Sequence, residues 1–194
     1  MHGVIFAELR AFVGANLGEK AWDELLKAAG MSGRMFLPME RYPDADALAL
    51  VTTASRLTGK PVPVLLEAFG EFIGPNLVKK YQRLIKPEWR TLDVLLNTQG
   101  AIHRVVQIEN KGAAPPELVC NRSGTDEVTI TYGSARKMCG VAKGIITALA
   151  RHYDEPVGMV ERQCMHGGAP NCVIVVRVGD QAPQWARSTR GTSA

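Results

Sequence analysis

"EVTITYGSARKMCGVAKGIITALARH", residues 127–152, changes its period partway along. The first six residues alternate Val128, Ile130 and Tyr132 with Glu127, Thr129 and Thr131, the period-two pattern of a half-buried strand. From Lys137 onward Val141, Ile145 and Leu149 recur every fourth residue, which predicts a helix over 137–152. Upstream, ELVCNR (117–122) reads as a second strand, and SGTD between the two makes them a hairpin. Downstream, MVERQC (159–164) and CVIVVRV (172–178) form another hairpin around MHGGAPN. The last third is therefore a small antiparallel sheet with one long helix packed on it.

The first two-thirds read as helices. Residues 3–17 place Ile5, Leu9, Phe12 and Val13 at helical spacing, and 19–29 form a second helix that stops at Gly30. After a loop, Asp44 is positioned to cap a third helix. Residues 61–85 read as a longer helix that Gly74 and Pro75 should kink or break. Residues 91–112 read as helix, break, helix, with Asn97 or Thr98 as the second cap. The class is α+β, a helical N-terminal half joined to a four-stranded antiparallel sheet. The expected unit is one domain, 1–178, with a helical subdomain over about 1–65. Residues 179–194, GDQAPQWARSTRGTSA, read as a disordered tail.

A chain that is 46% hydrophobic and 22% charged can bury a sizeable core. The net charge of +4 is dispersed, with no block of Lys and Arg interleaved with aromatics, so no nucleic-acid partner is expected. Residues 1–12 lack a basic start and cleavage site, and no apolar run approaches the roughly 20 residues that span a bilayer. The expectation is a cytoplasmic chain with no membrane partner. In that setting Cys120, Cys139, Cys164 and Cys172 point to metal binding or redox sensing ahead of disulfides.

Tyr132, Ser134 and Arg136 are hydrogen-bond donors at every second position, and share one face if the strand geometry persists. Such a triple suits an anion, and the Arg fork suits carboxylates. The competing reading is a solvated turn with an Arg capping a helix. His103 lies in GAIHRVVQIE, flanked by Ile102, Val105 and Val106. A lone His of this kind is usually a core or surface residue. A neutral imidazole is also the usual axial ligand of heme iron, and the two heme propionates are the carboxylates such a clamp would hold.

The combination resembles the heme nitric oxide/oxygen binding (H-NOX) family, related to the heme domain of soluble guanylate cyclase. The features are a start of Met-x-Gly-x-Ile, His103 followed by KGAAPPEL, and Tyr-x-Ser-x-Arg at 132–136. The resemblance covers roughly residues 1–178. It implies a fold of seven helices and a four-stranded sheet, with heme b buried between the two parts. His103 would be the axial ligand, Tyr132, Ser134 and Arg136 would hold the propionates, and Pro116 would press on and distort the porphyrin. It implies a non-catalytic sensor: NO weakens the iron–His103 bond, and the conformational shift is read by a separate partner. Members of stand-alone bacterial type pair with histidine kinases or cyclic-di-GMP enzymes.

Family members that hold oxygen carry a distal Tyr where this chain has Val141. The other aligned distal positions are Ile5, Leu9, Ile73, Leu77 and Ile145, all apolar. Without a donor nothing repays the polarity of bound oxygen, so NO and CO binding without a stable oxygen complex is expected. The same apolar face offers no acid–base residue for a heme enzyme.

Cys164 and Cys172 flank the second hairpin loop, and Cys139 begins the long helix beside it. Three thiolates need a fourth ligand to complete tetrahedral zinc. Some bacterial H-NOX proteins carry such a site, with a His where this chain has Glu161. That leaves three expectations: His166 substitutes, Glu161 ligates through oxygen, or the site is weak or empty. An occupied site would add a redox input, and a zinc or thiol sensor in which heme is secondary is the alternative function. Cys139 is expected to belong to a different site from the donor triple.

Overall fold

The computed structural model describes residues 1–109 and 112–179. Helix α1 (Gly3–Leu17) turns Phe6, Leu9 and Val13 inward, the spacing of one helical face. Helix α2 (Ala21–Ala28) contributes Trp22, Leu25 and Leu26, and α3 (Asp44–Thr58) contributes Ala47, Leu50 and Val51. Helix α4 (Val62–Tyr81) closes this first core with Phe69 and Ile73. Phe6 stacks on Phe36 at 4.1 Å between ring centres, which pins the 31–43 loop over α1.

The second core lies under the sheet. Strands β1 (Glu117–Arg122), β2 (Glu127–Gly133), β3 (Val157–Gln163) and β4 (Cys172–Val178) are all antiparallel in the order β1-β2-β4-β3. Val128, Ile130, Ile174 and Val176 bury one sheet face against Leu92 and Leu95 of α5 (Thr91–Asn97) and Ile146 and Leu149 of α7 (Cys139–His152). Helix α7 serves both cores, since Val141 and Ile145 pack against the first. The α+β expectation therefore holds, with seven α-helices among the described residues. No helix among them is long and apolar enough to cross a membrane. Apart from Gly179, the expected tail lies outside the described residues.

Four local expectations are corrected. Of the kink or break expected at Gly74 and Pro75, the break does not occur: α4 is one helix through both. A Cβ built on Gly70 would stand 2.3 Å from the Val141 carbonyl oxygen, one on Gly74 2.3 Å from Ala148 Cβ, and one on Gly144 2.0 Å from the Glu67 carbonyl oxygen. These glycines mark the place where α4 and α7 meet backbone to backbone, and packing on both sides of Pro75 holds the helix through the missing hydrogen bond. Second, Asn97 and Thr98 cap nothing. Their side chains donate back to the Asp93 and Val94 carbonyls at 2.8 and 2.7 Å, and α5 passes into a π-helical turn (Thr98–His103) and then α6 (Arg104–Glu109). Third, Asp44 is the first helical residue of α3, and its carboxylate takes the Met1 ammonium at 2.5 Å. Finally, the strand geometry stops at Gly133. Lys137 N–H closes a turn onto the Ser134 carbonyl at 3.0 Å, and Lys137 itself has φ of 52°. Helix α7 accordingly starts at Cys139.

Candidate functional site

His103 ends the π turn, a helical irregularity that recurs at functional sites. Its Nδ1 is 3.1 Å from Gln99 Oε1, and the Pro116 carbonyl lies against the same ring. Burial holds the imidazole below its ordinary pKa, and the Pro116 contact only partly offsets this. The ring is therefore neutral at pH 7 and has an electron pair to give.

The donor triple is gathered by the Ser134–Lys137 turn, without strand alternation. Tyr132 is buried, and burial raises the pKa of its hydroxyl while a hydrogen bond with Ser134 pulls the other way, so it remains a protonated donor. Ser134 Oγ accepts from the Arg136 backbone N–H at 3.3 Å. The Arg136 guanidinium donates to the Ala114 carbonyl and lies 3.6 Å from Asp44 Oδ2. One short loop thus carries both halves of the site: Ala114 engages Arg136, and Pro116 engages His103.

The six apolar positions come together. Leu9 and Ile73 belong to the first core, and Ile5, Leu77, Val141 and Ile145 pack against it. A cavity of about 50 Å³ opens beside three of them, Ile5, Leu9 and Val141, lined also by Phe12, Phe69 and Met138 and by no polar side chain; Ile73, Leu77 and Ile145 do not line it. That is room for a diatomic molecule, about a third of a cavity that takes benzene.

The thiols also converge. Cys139 Sγ and Cys172 Sγ lie 3.8 and 3.7 Å from Cys164 Sγ, and the Glu161 carboxylate joins them, with all four ligating atoms within 4.8 Å of one another. Tetrahedral zinc with Zn–S bonds of about 2.3 Å has S···S edges of about 3.8 Å, so the thiols already stand at ligand spacing. His166 lies outside this group, its Nε2 2.8 Å from the Lys137 carbonyl. Lys143 bridges Glu161 at 3.5 Å to Glu67 of α4 at 2.8 Å. Burial, and then the neighbouring thiols, raise the Cys139 thiol above the usual range, and burial raises that of Cys172. Cys120 stands apart on β1, pushed up to about 11 by burial, an inert packing thiol.

Cys139 stands with Cys164 and Cys172, toward the second hairpin, but its cluster adjoins the donor triple. Tyr132 and Cys172 are paired across β2 and β4, and with Cys139 and Met165 they form one buried cluster. The two sites share a wall. Sequence reading also passed over Gln99, Lys143 and the Asp44–Arg136 pair. Only Gln99 left a local signal, its spacing of four from His103 on a helix.

The Haem-NO-binding family model matches residues 2–161. In fold, the chain is similar to an H-NOX protein from S. oneidensis in the Fe(II)NO ligation state, 22% identical, with a TM-score of 0.86 over 93% of this chain and 100% of that one. It is likewise similar to the Fe(II) unliganded H-NOX protein from K. algicida, 18% identical, with a TM-score of 0.82 over 93% and 97%. A mutant of T. tengcongensis H-NOX is 21% identical, with a TM-score of 0.79 over 93% and 98%. No curated protein matches the chain in sequence. With the family model covering most of its length and the same fold in these structures, the chain belongs to the Haem-NO-binding (H-NOX) family of heme-based gas sensors.

Proposed function

We propose that residues 1–178 form a heme-based NO sensor that regulates a separate protein, a histidine kinase or a cyclic-di-GMP enzyme. The observation that carries this reading is the 112–116 loop, whose Ala114 carbonyl accepts from Arg136 and whose Pro116 carbonyl lies against the His103 ring. The donor set fits heme b: His103 as axial ligand, Tyr132, Ser134 and Arg136 for the propionates, and Pro116 beside the ring of His103. Bound heme would supply an iron that takes NO or CO, and His103 would hold that iron through the bond that NO is expected to weaken. The protein supplies a distal wall of Ile5, Leu9, Ile73, Leu77, Val141 and Ile145 with no donor to stabilise bound oxygen. Helices α4 and α7, which carry four of these residues, are the packed pair through which a shift at His103 reaches the first core. A partner reads the shift only if it binds the two states with different affinity.

The test is the absorption spectrum of the purified chain, reduced without air, then exposed to NO, then to air. A five-coordinate reduced spectrum that changes with NO and gives no stable oxygen complex is expected. A stable oxygen complex would sink the distal assignment, and no heme band after heme addition would remove the sensor reading.

The thiol spacing favours a second reading at a second place: zinc held by Cys139, Cys164, Cys172 and Glu161, acting as a redox input. Cys164 Sγ stands within 3.8 Å of both other sulfurs, so Cys164→Ser should lower bound zinc from about one per chain to a small fraction. Glu161→Gln should weaken binding about 10-fold or more, and His166→Ala should leave it unchanged, as read by chelator competition. Equal loss in the His166 variant would reverse the choice of fourth ligand. Oxidation of two thiolates by hydrogen peroxide gives one disulfide and two waters with uptake of two protons, and releases the metal. Zinc content that stays constant against peroxide dose would remove the redox input.

A further inference from the structure

Gln99 sits four residues before His103, and its side-chain oxygen accepts two hydrogen bonds. The Leu118 backbone N–H donates to Gln99 Oε1 at 3.0 Å, and His103 Nδ1 is 3.1 Å from the same atom. The Leu118 bond settles which way the amide points. A backbone N–H needs an acceptor, so the oxygen, not the NH₂ group, faces it. An amide oxygen cannot donate. The hydrogen between the two side chains therefore belongs to Nδ1; a neutral ring has only this one N–H, so the Pro116 carbonyl beside the ring shares it with Gln99, and Nε2 is left with the lone pair.

The π turn makes this possible. Residues 98–103 are widened, and neither Asn97 nor Thr98 turns toward His103, because both side chains bond to the preceding turn. Gln99 alone of the three polar residues at this junction reaches the ring. Through Leu118, which packs under the sheet, the same oxygen connects the ring to β1 just past Pro116.

We propose that Gln99 is the positioning residue of His103: it fixes the Nδ1–H tautomer, presents Nε2 to the heme iron, and ties the imidazole to the start of β1. This rests on the reading of His103 as the axial ligand. An acceptor on Nδ1–H makes the opposite nitrogen more basic and fixes the ring's orientation, so Gln99 sets the strength of the bond that NO must break.

Resonance Raman of the ferrous heme protein reads this directly through the iron–histidine stretch. Gln99→Leu keeps bulk and removes the acceptor, and the band should fall to lower wavenumber. Gln99→Glu offers a stronger acceptor, and the band should rise above wild type. Heme transfer to apomyoglobin should run about 10-fold faster in Gln99→Leu and be restored in Gln99→Glu. In the diamagnetic CO complex the His103 Nδ1–H proton should exchange with water faster in Gln99→Leu than in wild type. Unmoved bands in both variants, with a normal histidine-ligated spectrum, overturn the role of Gln99 and leave the ligand assignment standing. If Gln99→Leu does not fold, an unmoved band in Gln99→Glu alone overturns it. Absence of any iron–histidine band in wild type overturns the ligand assignment and this inference with it.

Discussion

The His103→Ala chain is expected to purify with little or no heme, and added imidazole to restore a five-coordinate spectrum. The expectation rests on where the other imidazoles are. His2 accepts from the Val4 N–H at the start of α1, His152 packs edge-on against Tyr153 at the far end of α7, and His166 is bound to the Lys137 carbonyl. Each of them is engaged at its own place, so none is expected to replace the lost ring. Removing an outer partner of a metal ligand already costs 10–100-fold in affinity, so loss of the ligand itself should cost more than about 100-fold. The measurement is the heme-to-protein ratio after purification, with His152→Ala as the matched control. Full heme retention in His103→Ala with an unchanged spectrum would mean that another group holds the iron.

Gly144→Ala should destabilise the fold by about 3 kcal/mol, and Gly70→Ala by a similar amount. The new methyl at position 144 would overlap the Glu67 carbonyl at 2.0 Å and the Gly70 Cα at 2.8 Å, and both are backbone atoms that cannot rotate away. Relief requires α4 and α7 to separate, which opens the wall formed by Ile73, Leu77, Val141 and Ile145. Because both methyls force the same separation, the double variant should cost less than the sum of the two. Gly14→Ala is the control. It lies in the body of α1 with nothing within 4 Å of the added carbon, so relief of the glycine helix penalty should stabilise by about 0.5–1 kcal/mol. The check is the urea midpoint at unchanged slope. A Gly144→Ala midpoint equal to wild type would show that the helices part without cost.

Several expectations rested on patterns that lie within a few residues. The alternation of Val128, Ile130 and Tyr132 marked β2, and both hairpins closed as their turn residues implied. The donor triple was legible as a triple but not as a shape, because Lys137 at positive φ turns the chain where alternation would have continued it. The break expected at Pro75 followed from local rules that hold for an isolated helix. Those rules do not include tertiary packing, which holds Ile73 and Leu77 against the first core on either side of the defect.

By itself, then, the sequence determined the α+β class, the convergence of three thiols on one hairpin, and His103 with Tyr132, Ser134 and Arg136 as the residues to watch. Tertiary structure alone decided that α4 is continuous, that Glu161 rather than His166 stands among the thiols, that Gln99 holds the His103 ring, and that Tyr132 walls both sites. The physical reason is separation along the chain. Glu161 meets Cys139, Gly70 meets Val141, and Tyr132 meets Cys172 across loops and a whole helix, and such approaches are set by how the two cores close on α7, which no local period encodes.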